Sequence, residues 1–519
     1  MPLRARGRAL CAAAAWRAAA AWLKTPAGAV AVLVLATFLA RVLFASILGL
    51  GIDESYMVAA GRKLQLSYFD HPPIAWWMAW AAAHLTGSES PVVVRLPFIA
   101  LFVVTTFLMY RLTSALFSPE AGLWAAVVLN MAPVFGISSA GWVLPDGPLL
   151  AALLGAAVCL VAALRSESGT AWGWWLGTGM CAGLALCSKY SAVLTIAGAA
   201  GFLVTEPIDR RWLKRPHPYA AGLVAMGIFL PVLIWNAENG WVSLLFQAGR
   251  AEGAFHPIGP IATLAGAAAF LLPWIWAPLV VSGFAALRGG PSDRDRWLLV
   301  CLAAPPLIVF AAASLRGKVL FHWAAPGYLM LVPLLGDAVA RRWRASRGVR
   351  IWLAGTAGFI VLGSAFVASE VRFNWLPAAI GDFPPGKDPS LDMVDWTSLR
   401  DDLAKRGLLD RPKLVAAALR WSDAGKIDYA LGGRLPVICL GPDAHQYALV
   451  ARRDDHAGAD VLIVTRAPFE KIVGQYWFLF DSIEPMAPAT VLHAGRPALR
   501  LNLFLGRRLH KAAEECCAS

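Results

Sequence analysis

The sequence predicts an α-helical protein that crosses a membrane many times and carries a small α/β domain at its C-terminal end. Of its 519 residues, 58% are hydrophobic and only 15% are charged. A soluble globular protein has no interior large enough to hide that much apolar surface. Long apolar runs recur from residue 27 to residue 367, and after Glu370 the composition becomes mixed and polar. This change indicates a separate domain outside the lipid.

The apolar runs provide about eleven transmembrane helices, since a helix crosses the hydrocarbon core in ~20 residues. The predicted spans are 27–50, 92–110, 121–139, 147–164, 171–187, 190–204, 219–235, 258–286, 297–313, 319–339 and 351–369. The shorter run 74–86 is rich in tryptophan and predicts a helix that lies at the membrane interface.

The basic residues orient these spans. If the connections alternate between the two sides, 19 lysines and arginines fall in the N-terminal tail and the even connections. Seven fall in the odd connections, namely Arg62, Lys63, Arg95, Lys189, Arg250, Arg316 and Lys318. The positive-inside rule therefore places the N-terminus in the cytoplasm. We expect a protein of the cytoplasmic (inner) membrane whose C-terminal domain lies in the periplasm or outside the cell.

These observations divide the chain into three parts. They are a basic cytoplasmic tail (1–26), a transmembrane domain (27–369) whose first outer loop is 51–91, and an extracytoplasmic α/β domain (370–519). In the last part, short apolar runs predict strands at 414–419, 436–440 and 460–465 and a helix at 422–431. This domain has no Gly-x-Gly-x-x-Gly and no P-loop, so nothing in it indicates a nucleotide site.

Unusual polar residues collect on the predicted outer face. They are Asp53, Glu54, Asp70, His71, Asp146, Lys189, Asn236, Glu238, Arg250, His256, Arg316 and Lys318. A carboxylate beside the membrane can take a proton from a hydroxyl nucleophile, and fixed cations stabilise charge on a leaving phosphate. These groups are suited to moving a sugar from a lipid phosphate to an acceptor. No pool of nucleotide sugars exists outside the cytoplasm, so a lipid-linked donor is expected.

Five motifs on this face resemble those of the GT-C glycosyltransferases. They are GIDESY at 51–56, YFDHPP at 68–73, LPDGP at 144–148, SKY at 188–190 and KVLFHWAAP at 318–326. In order and orientation they are similar to the protein O-mannosyltransferase-like family 39. They also resemble bacterial enzymes that transfer aminoarabinose or galacturonic acid to lipid A or lipopolysaccharide core. The resemblance covers residues 1–370.

The resemblance implies a GT-C fold and an inverting transfer from a polyprenyl-phosphate sugar, with Asp53 as the general base and Glu54 beside it as a second catalytic residue. The substrate contacts that it implies are Asp70, His71, Asp146, Lys189, Arg316 and Lys318. At the position of His71 the aminoarabinose transferases carry a lysine, so Lys189, Arg316 and Lys318 are the alternative contacts to phosphate. The implied partners are a polyprenyl-phosphate sugar donor, a lipid, glycan or protein acceptor such as lipid A or core oligosaccharide, and membrane lipids. No nucleic acid is expected.

No cofactor is expected either. Asp70 together with His256 imitates an acidic residue and a distant histidine that hold a metal in some relatives, but two ligands are too few to predict a metal site. The eight cysteines have neither the pairing of a disulfide framework nor the spacing of a zinc site.

Several of these residues also have a purely structural interpretation. Asp53 suits the N-cap of a helix that begins at Glu54, and Asp146 suits the N-cap of the fourth span. His71 before two prolines suits a turn. Lys189 suits a side chain that extends to the interface between two spans.

Two further groups of side chains have structural alternatives. Arg316 and Lys318 suit interfacial anchors, although positive charge on the outer side runs against the sidedness rule and so indicates an anionic partner. Trp76, Trp77 and Trp80 suit an aromatic belt better than a surface for stacking sugars.

The main competing function is a transporter or flippase of lipid-linked sugars. A carrier should place ionisable groups near the middle of the membrane on broken helices, whereas here they lie at one interface. A non-enzymatic receptor would leave the carboxylates of the first loop without a purpose. The sequence therefore favours the transferase, with the carrier as the alternative.

Overall fold

A computed structural model describes residues 21–250, 252–381 and 388–511. The chain divides into two compact units. The helical unit contains the chain up to residue 42 and residues 98–361, and the α/β unit contains residues 43–97 and 362–519. Most of the predicted cytoplasmic tail, up to residue 20, lies outside the described residues.

Helices dominate the described residues. In chain order they are α1 Pro26–Ile47, α2 Ile52–Ala60, α3 Ile74–Thr86, α4 Pro91–Leu116, α5 Pro119–Met131, α6 Asp146–Arg165, α7 Ser168–Leu186, α8 Ala192–Thr205, α9 His217–Glu238, α10 Val242–Gly249, α11 Gly259–Leu271, α12 Pro273–Gly289, α13 Arg294–Ala313, α14 Ala325–Trp343, α15 Arg347–Phe373, α16 Leu376–Ile380, α17 Thr397–Lys405, α18 Trp421–Leu431, α19 Tyr447–Val450 and α20 Phe469–Tyr476.

Each predicted span coincides with one or two of these helices, which confirms the prediction of many apolar helices. Among the described residues, six helices are long and apolar enough to cross a membrane, namely α1, α4, α6, α9, α13 and α15. The pair α11 and α12 would add a seventh span, but it is bent by 114°. The bend lies at Leu272, whose φ of 70° ends α11, and the next residue, Pro273, has no backbone N–H to continue that helix. The number of eleven spans therefore stays a prediction.

Small residues let helices of the helical unit approach closely. Gly179 and Gly183 of α7 face Ala221 and Ala225 of α9, and a Cβ on Gly179 would lie 2.2 Å from the carbonyl oxygen of Ala221. Lipid tails are as apolar as leucine, so helices in a membrane associate through close packing of this kind. The α7–α9 contact therefore depends on glycine at these positions.

Arg41 in α1 shows how this unit accommodates a charge within a span. Its Nε donates to the carbonyl oxygen of Gly136 at 2.9 Å, and its Nη2 donates to Asn130 Oδ1 at 2.8 Å. The guanidinium also lies 4.6 Å from the centre of the Phe102 ring. Gly136 belongs to a π-helix, Val134–Ser139. Hydrogen bonding of this kind is what makes a polar group tolerable at membrane depth.

The α/β unit contains a five-stranded sheet with the strand order β2-β1-β3-β5-β4. The strands are β1 Leu414–Ala418, β2 Val437–Cys439, β3 Asp460–Thr465, β4 Phe480–His493 and β5 Arg496–Leu509. The strand β1 is parallel to β2 and β3, whereas β5 is antiparallel to β3 and β4. The three predicted strands and the helix between the first two are confirmed. The long hairpin β4–β5 was not predicted.

The predicted first outer loop (51–91) packs with the C-terminal residues in this unit. Gly425 of α18 lies against the backbone of Tyr56 in α2, where a Cβ would come within 2.7 Å. The Lys426 ammonium donates to the carbonyl oxygens of Leu50, at 2.6 Å, and Asp392, at 2.9 Å. The sequence-based limits assigned this loop to the transmembrane domain, whereas by its contacts it groups with residues 362–519.

Candidate active site

Helix α2 carries the two acidic residues that follow the first span. It begins at Ile52, and its N-cap is Gly51, whose N–H donates to the Glu54 carboxylate at 2.9 Å. Asp53 therefore lies inside the first turn, and the alternative that it is an N-cap is wrong. Its side chain is exposed, whereas Glu54 is buried. An acidic group in the first turn is favoured by the helix dipole.

Glu54 forms a buried ion pair with Arg95 of α4. The guanidinium binds both carboxylate oxygens, at 2.8 and 2.5 Å, and the two side chains are only 1% and 3% exposed. Arg95 also donates to the carbonyl oxygens of Leu48 and Gly49, at 2.9 and 2.8 Å. These bonds hold the start of α2 against the chain that leaves α1. Arg95 was missed as a site residue, although its predicted position on the outer side, against the positive-inside rule, was a signal.

Asp70 lies at the centre of a second buried cluster in the same unit. The Tyr56 hydroxyl donates to Asp70 Oδ2 at 2.5 Å, and His445 Nδ1 lies 2.6 Å from Asp70 Oδ1. The other ring nitrogen of His445 lies 3.0 Å from the carboxylate of Asp443, which is half exposed. The Gln446 N–H in turn donates to the Tyr56 hydroxyl oxygen at 2.9 Å. Asp70 thus links α2 to the segment before α19.

These contacts shift the pKa values of both groups. Burial alone would raise the pKa of Asp70, but the contact with His445, the nearby His71 and the Tyr56 hydroxyl bring it below its ordinary value. Burial and the Asp70 carboxylate raise the pKa of the Tyr56 phenol well above its usual value. Asp70 is therefore an anion held by donors, and Tyr56 keeps its proton.

The segment that follows Asp70 forms the entry to α3. His71 is partly buried and lies in the bend before Pro72 and Pro73, as its structural alternative predicts. Trp76 is fully buried and stacks on Tyr68, with 4.3 Å between the ring centres. The prediction that Trp76 belongs to an aromatic belt is therefore wrong, because its ring packs inside the loop.

The helical unit contains a separate ion pair. Lys189 Nζ lies 3.0 and 3.1 Å from the two carboxylate oxygens of Asp146, and both side chains are 10% exposed or less. Asp146 is the first residue of α6 and Pro145 is the N-cap, so the capping alternative is wrong for Asp146 also. Lys189 is buried against α6 and does not extend to the surface. A buried ion pair often adds no net stability to a protein. Stability alone therefore does not explain the Asp146–Lys189 pair.

One further group, His322, interacts electrostatically with both members of this pair and also with Arg250. The Arg250 guanidinium lies 4.5 Å from the centre of the Phe246 ring. The sequence analysis did not single out His322, although it lies within one of the five motifs. That motif begins at Lys318 and ends at Pro326.

Arg316 and Lys318 are exposed in the segment between α13 and α14. The backbone of that segment contacts the loop before α11, because the His256 N–H donates to the Leu315 carbonyl oxygen at 2.7 Å. His256 belongs to the helical unit and Asp70 to the α/β unit. Across the described ranges, no group of three or more His, Cys, Asp or Glu side chains is placed to hold a metal.

Comparisons with known proteins place these features in context. A family model described as dolichyl-phosphate-mannose-protein mannosyltransferase matches residues 70–235. The chain is similar to the lipid A galacturonosyltransferase RgtD of Rhizobium johnstonii, with 22% identity over 325 residues, which is 60% of this chain. The match spans 64% of the length of that relative.

Solved structures show the same fold. The apo structure of ArnT from Cupriavidus metallidurans superposes with a TM-score of 0.62 at 13% identity and covers 92% of this chain and 98% of that one. The ArnT structure bound to undecaprenyl phosphate gives a TM-score of 0.61 at 14% identity, covering 91% and 97%. The resemblance to GT-C glycosyltransferases is confirmed, and the chain is a multi-pass membrane protein with that fold. The family model and RgtD are both named as glycosyltransferases.

Proposed function

We propose that this protein transfers a sugar from a polyprenyl-phosphate donor to a lipid or glycan acceptor, with Asp53 as the general base. The acceptor hydroxyl gives its proton to the Asp53 carboxylate while its oxygen forms a bond to the anomeric carbon. The bond from that carbon to the phosphate oxygen breaks, and polyprenyl phosphate leaves with the electron pair. A single displacement of this kind inverts the anomeric configuration.

The exposure of Asp53 carries the proposal. Of the three acidic side chains singled out in the first loop, Glu54 is held by Arg95, and Asp70 is held by Tyr56 and His445. Glu54 and Asp70 are buried, whereas Asp53 is exposed in the first turn of α2, the helix that also carries Glu54. A base has to reach the proton that it removes. We therefore assign the base to Asp53 and a positioning role to Glu54 and Asp70.

Lys189 supports binding of the donor phosphate. Its ammonium has three N–H donors, and Asp146 holds it in a fixed place. The relative ArnT binds undecaprenyl phosphate, and a leaving phosphate needs a fixed positive charge beside it. We assign Lys189 and Asp146 to this role. Arg316, Lys318 and His71 are further candidate contacts to the phosphate or the acceptor.

The distribution of basic residues supports a location in the cytoplasmic (inner) membrane. The N-terminal tail and the even connections together carry 19 lysines and arginines against seven in the odd connections, which favours a cytoplasmic location for the first set. The first loop and the C-terminal domain then face the periplasm or the cell exterior. The relative RgtD, named as a lipid A galacturonosyltransferase, supports lipid A, core oligosaccharide or a similar glycan as the acceptor.

The test is a transfer assay with the purified full chain in lipid nanodiscs. The donors are undecaprenyl-phosphate sugars, galacturonic acid and aminoarabinose among them, and the acceptor is total lipopolysaccharide. We expect Asp53→Asn to lower the rate at least ~100-fold, the ordinary size of a general-base effect, and Asp53→Glu to restore part of it. Glu470→Gln is the matched control, because Glu470 is also an exposed acid in the first turn of a short helix. Equal rates for Asp53→Asn and Glu470→Gln would contradict the proposal.

A further inference from the structure

A polar cleft of about 670 Å³ lies within the α/β unit, outside the candidate active site. Helix α3 and the turn after it form one wall, and α17 and α18 form the other. The side chains used below are Arg62, Trp80, His84, Glu89, Arg400 and Tyr429, all of which line the cleft. Its volume lies within the ~300–1,000 Å³ that small-molecule sites occupy. None of the roles assigned above uses it.

One wall of the cleft is aromatic. Trp80 and His84 lie one turn apart on α3, and their rings stack with 4.7 Å between centres and 9° between planes. Neither ring belongs to the buried core. Each ring covers one face of the other, and the outer face of an aromatic ring in such a pair is apolar, as is the C–H face of a pyranose ring, whose hydroxyls lie at its edge.

The floor of the cleft is polar and rigid. Glu89 binds Arg62 through two bonds of 2.7 Å, and Arg62 also reaches Asp428 at 2.5 Å. The Tyr429 hydroxyl donates to the carbonyl oxygen of Glu89 at 2.9 Å. These oxygens and N–H groups have fixed positions before any ligand arrives, which lowers the entropic cost of binding.

Arg400 contributes a cation to the cleft, and Asp395, which also lines it, contributes a carboxylate that accepts from the Thr397 hydroxyl at 2.7 Å. The one ion pair of Arg400 within the described chain is with its neighbour Asp401, at 3.7 Å, which is too long for a hydrogen bond. By contrast, Arg62 has two carboxylate partners. A guanidinium binds phosphate or carboxylate oxygens in a bidentate manner, so Arg400 suits an anionic substituent.

We infer that this cleft binds a pyranose ring of the acceptor glycan, with the ring against the Trp80 side of the stacked pair and a phosphate or carboxylate substituent at Arg400. The inference rests on the proposed function, since it names the part of the acceptor that the transferase holds. It also gives Trp80 the sugar-stacking role that its sequence position alone did not favour.

The experiment measures binding without turnover, by saturation-transfer difference NMR on the full chain in detergent micelles. The probe is glucose 1-phosphate, with glucose and inorganic phosphate as separate competitors. We expect saturation of the ring protons of the probe in the wild type. Trp80→Ala should reduce this saturation at least fivefold, and Trp80→Phe should retain it. Arg400→Gln should weaken the binding of glucose 1-phosphate until it equals the binding of glucose. The matched controls are Trp477→Ala and Arg500→Gln, which change exposed residues elsewhere in the same unit.

Unchanged saturation in Trp80→Ala and Arg400→Gln would overturn the inference. So would competition in which inorganic phosphate removes the saturation of the probe and glucose has no effect, because the site would then recognise no sugar. Failure of the proposed function looks different: the cleft would bind the probe, but no sugar would be transferred in the nanodisc assay. Conversely, a wild-type protein that transfers sugar but binds the probe independently of Trp80 would contradict this inference alone.

Discussion

At the scale of single residues, neighbouring acidic side chains have different environments. Asp53 and Glu54 are adjacent in the sequence, yet one is exposed and the other is 3% exposed and bound to Arg95. The helix period makes this difference, because successive side chains of a helix point about 100° apart. The buried Glu54 carboxylate fixes the position of α2, and α2 in turn holds the Asp53 carboxylate at the surface.

The Glu54–Arg95 pair should be essential for stability and not only for activity. Arg95→Met leaves the Glu54 carboxylate buried without a cation, which ordinarily costs about 3–5 kcal/mol. We expect a large drop in the Tm of the purified protein. Asp53→Asn, at an exposed position, should leave the Tm within about a degree. Equal Tm values for Arg95→Met and wild type would show that the pair does not hold α2.

Lys426 predicts a rise in stability at alkaline pH. Burial lowers its pKa to about 8, whereas in the unfolded chain the pKa is ~10.4. Between these values the unfolded chain binds a proton that the folded chain has lost, so stability rises with pH by about 1.4 kcal/mol per unit. Below about pH 8 both states are protonated and the gradient disappears. Denaturation midpoints between pH 7.5 and 9.5 check this, and Lys426→Met should remove the slope. An equal slope in the variant would contradict it.

Asp53, Asp146 and Lys189 could be singled out from the sequence because they lie in short motifs beside apolar runs. Their partners were harder to predict. Arg95 is 41 residues from Glu54 in the sequence, and His445 lies in a different predicted domain from Asp70. No local pattern connects such residues, because Glu54 meets Arg95 where the loop folds back onto the start of α4 and Asp70 meets His445 where the loop packs against the C-terminal residues.

At the scale of elements, the contact between α7 and α9 depends on glycine. A Cβ on Gly183 would lie 2.8 Å from the Ile228 side chain, whereas Gly173 on the same helix has nothing within 4 Å. Gly183→Leu should therefore destabilise the protein by about 1–3 kcal/mol, the usual cost of overpacking. Gly173→Leu should be neutral. Tm values for the two variants decide this, and a neutral Gly183→Leu would show that α7 and α9 do not pack closely.

The hairpin β4–β5 was not predicted because its sequence lacks the pattern of a typical strand. The strand β4 contains Pro485 and Pro488, and prolines inside a run argue against a strand. The sheet tolerates them because β4 is its edge strand and its pairing with β5 shifts register between Met486 and Ala489. The strands β1 and β3 lie inside the sheet and are almost wholly buried, so their continuous apolar runs were visible.

At the scale of the whole molecule, the orientation in the membrane is the next prediction. In a background without reactive cysteines, Glu470→Cys in the C-terminal domain should react with an impermeant maleimide added to intact spheroplasts. Arg211→Cys, in a predicted cytoplasmic connection, should react only after permeabilisation. Both positions are exposed. Labelling of the two in the reverse order would place the first loop in the cytosol and contradict the use of a lipid-linked donor outside.

The most direct test compares the cell envelope of a strain that lacks the protein with strains that express wild type, Asp53→Asn or Glu470→Gln. Mass spectrometry would follow one sugar on the envelope glycan together with its polyprenyl-phosphate carrier. The account predicts that wild type and Glu470→Gln add the sugar, whereas Asp53→Asn inserts normally, leaves the glycan unmodified and accumulates the charged carrier. A fully modified glycan in the Asp53→Asn strain would contradict it.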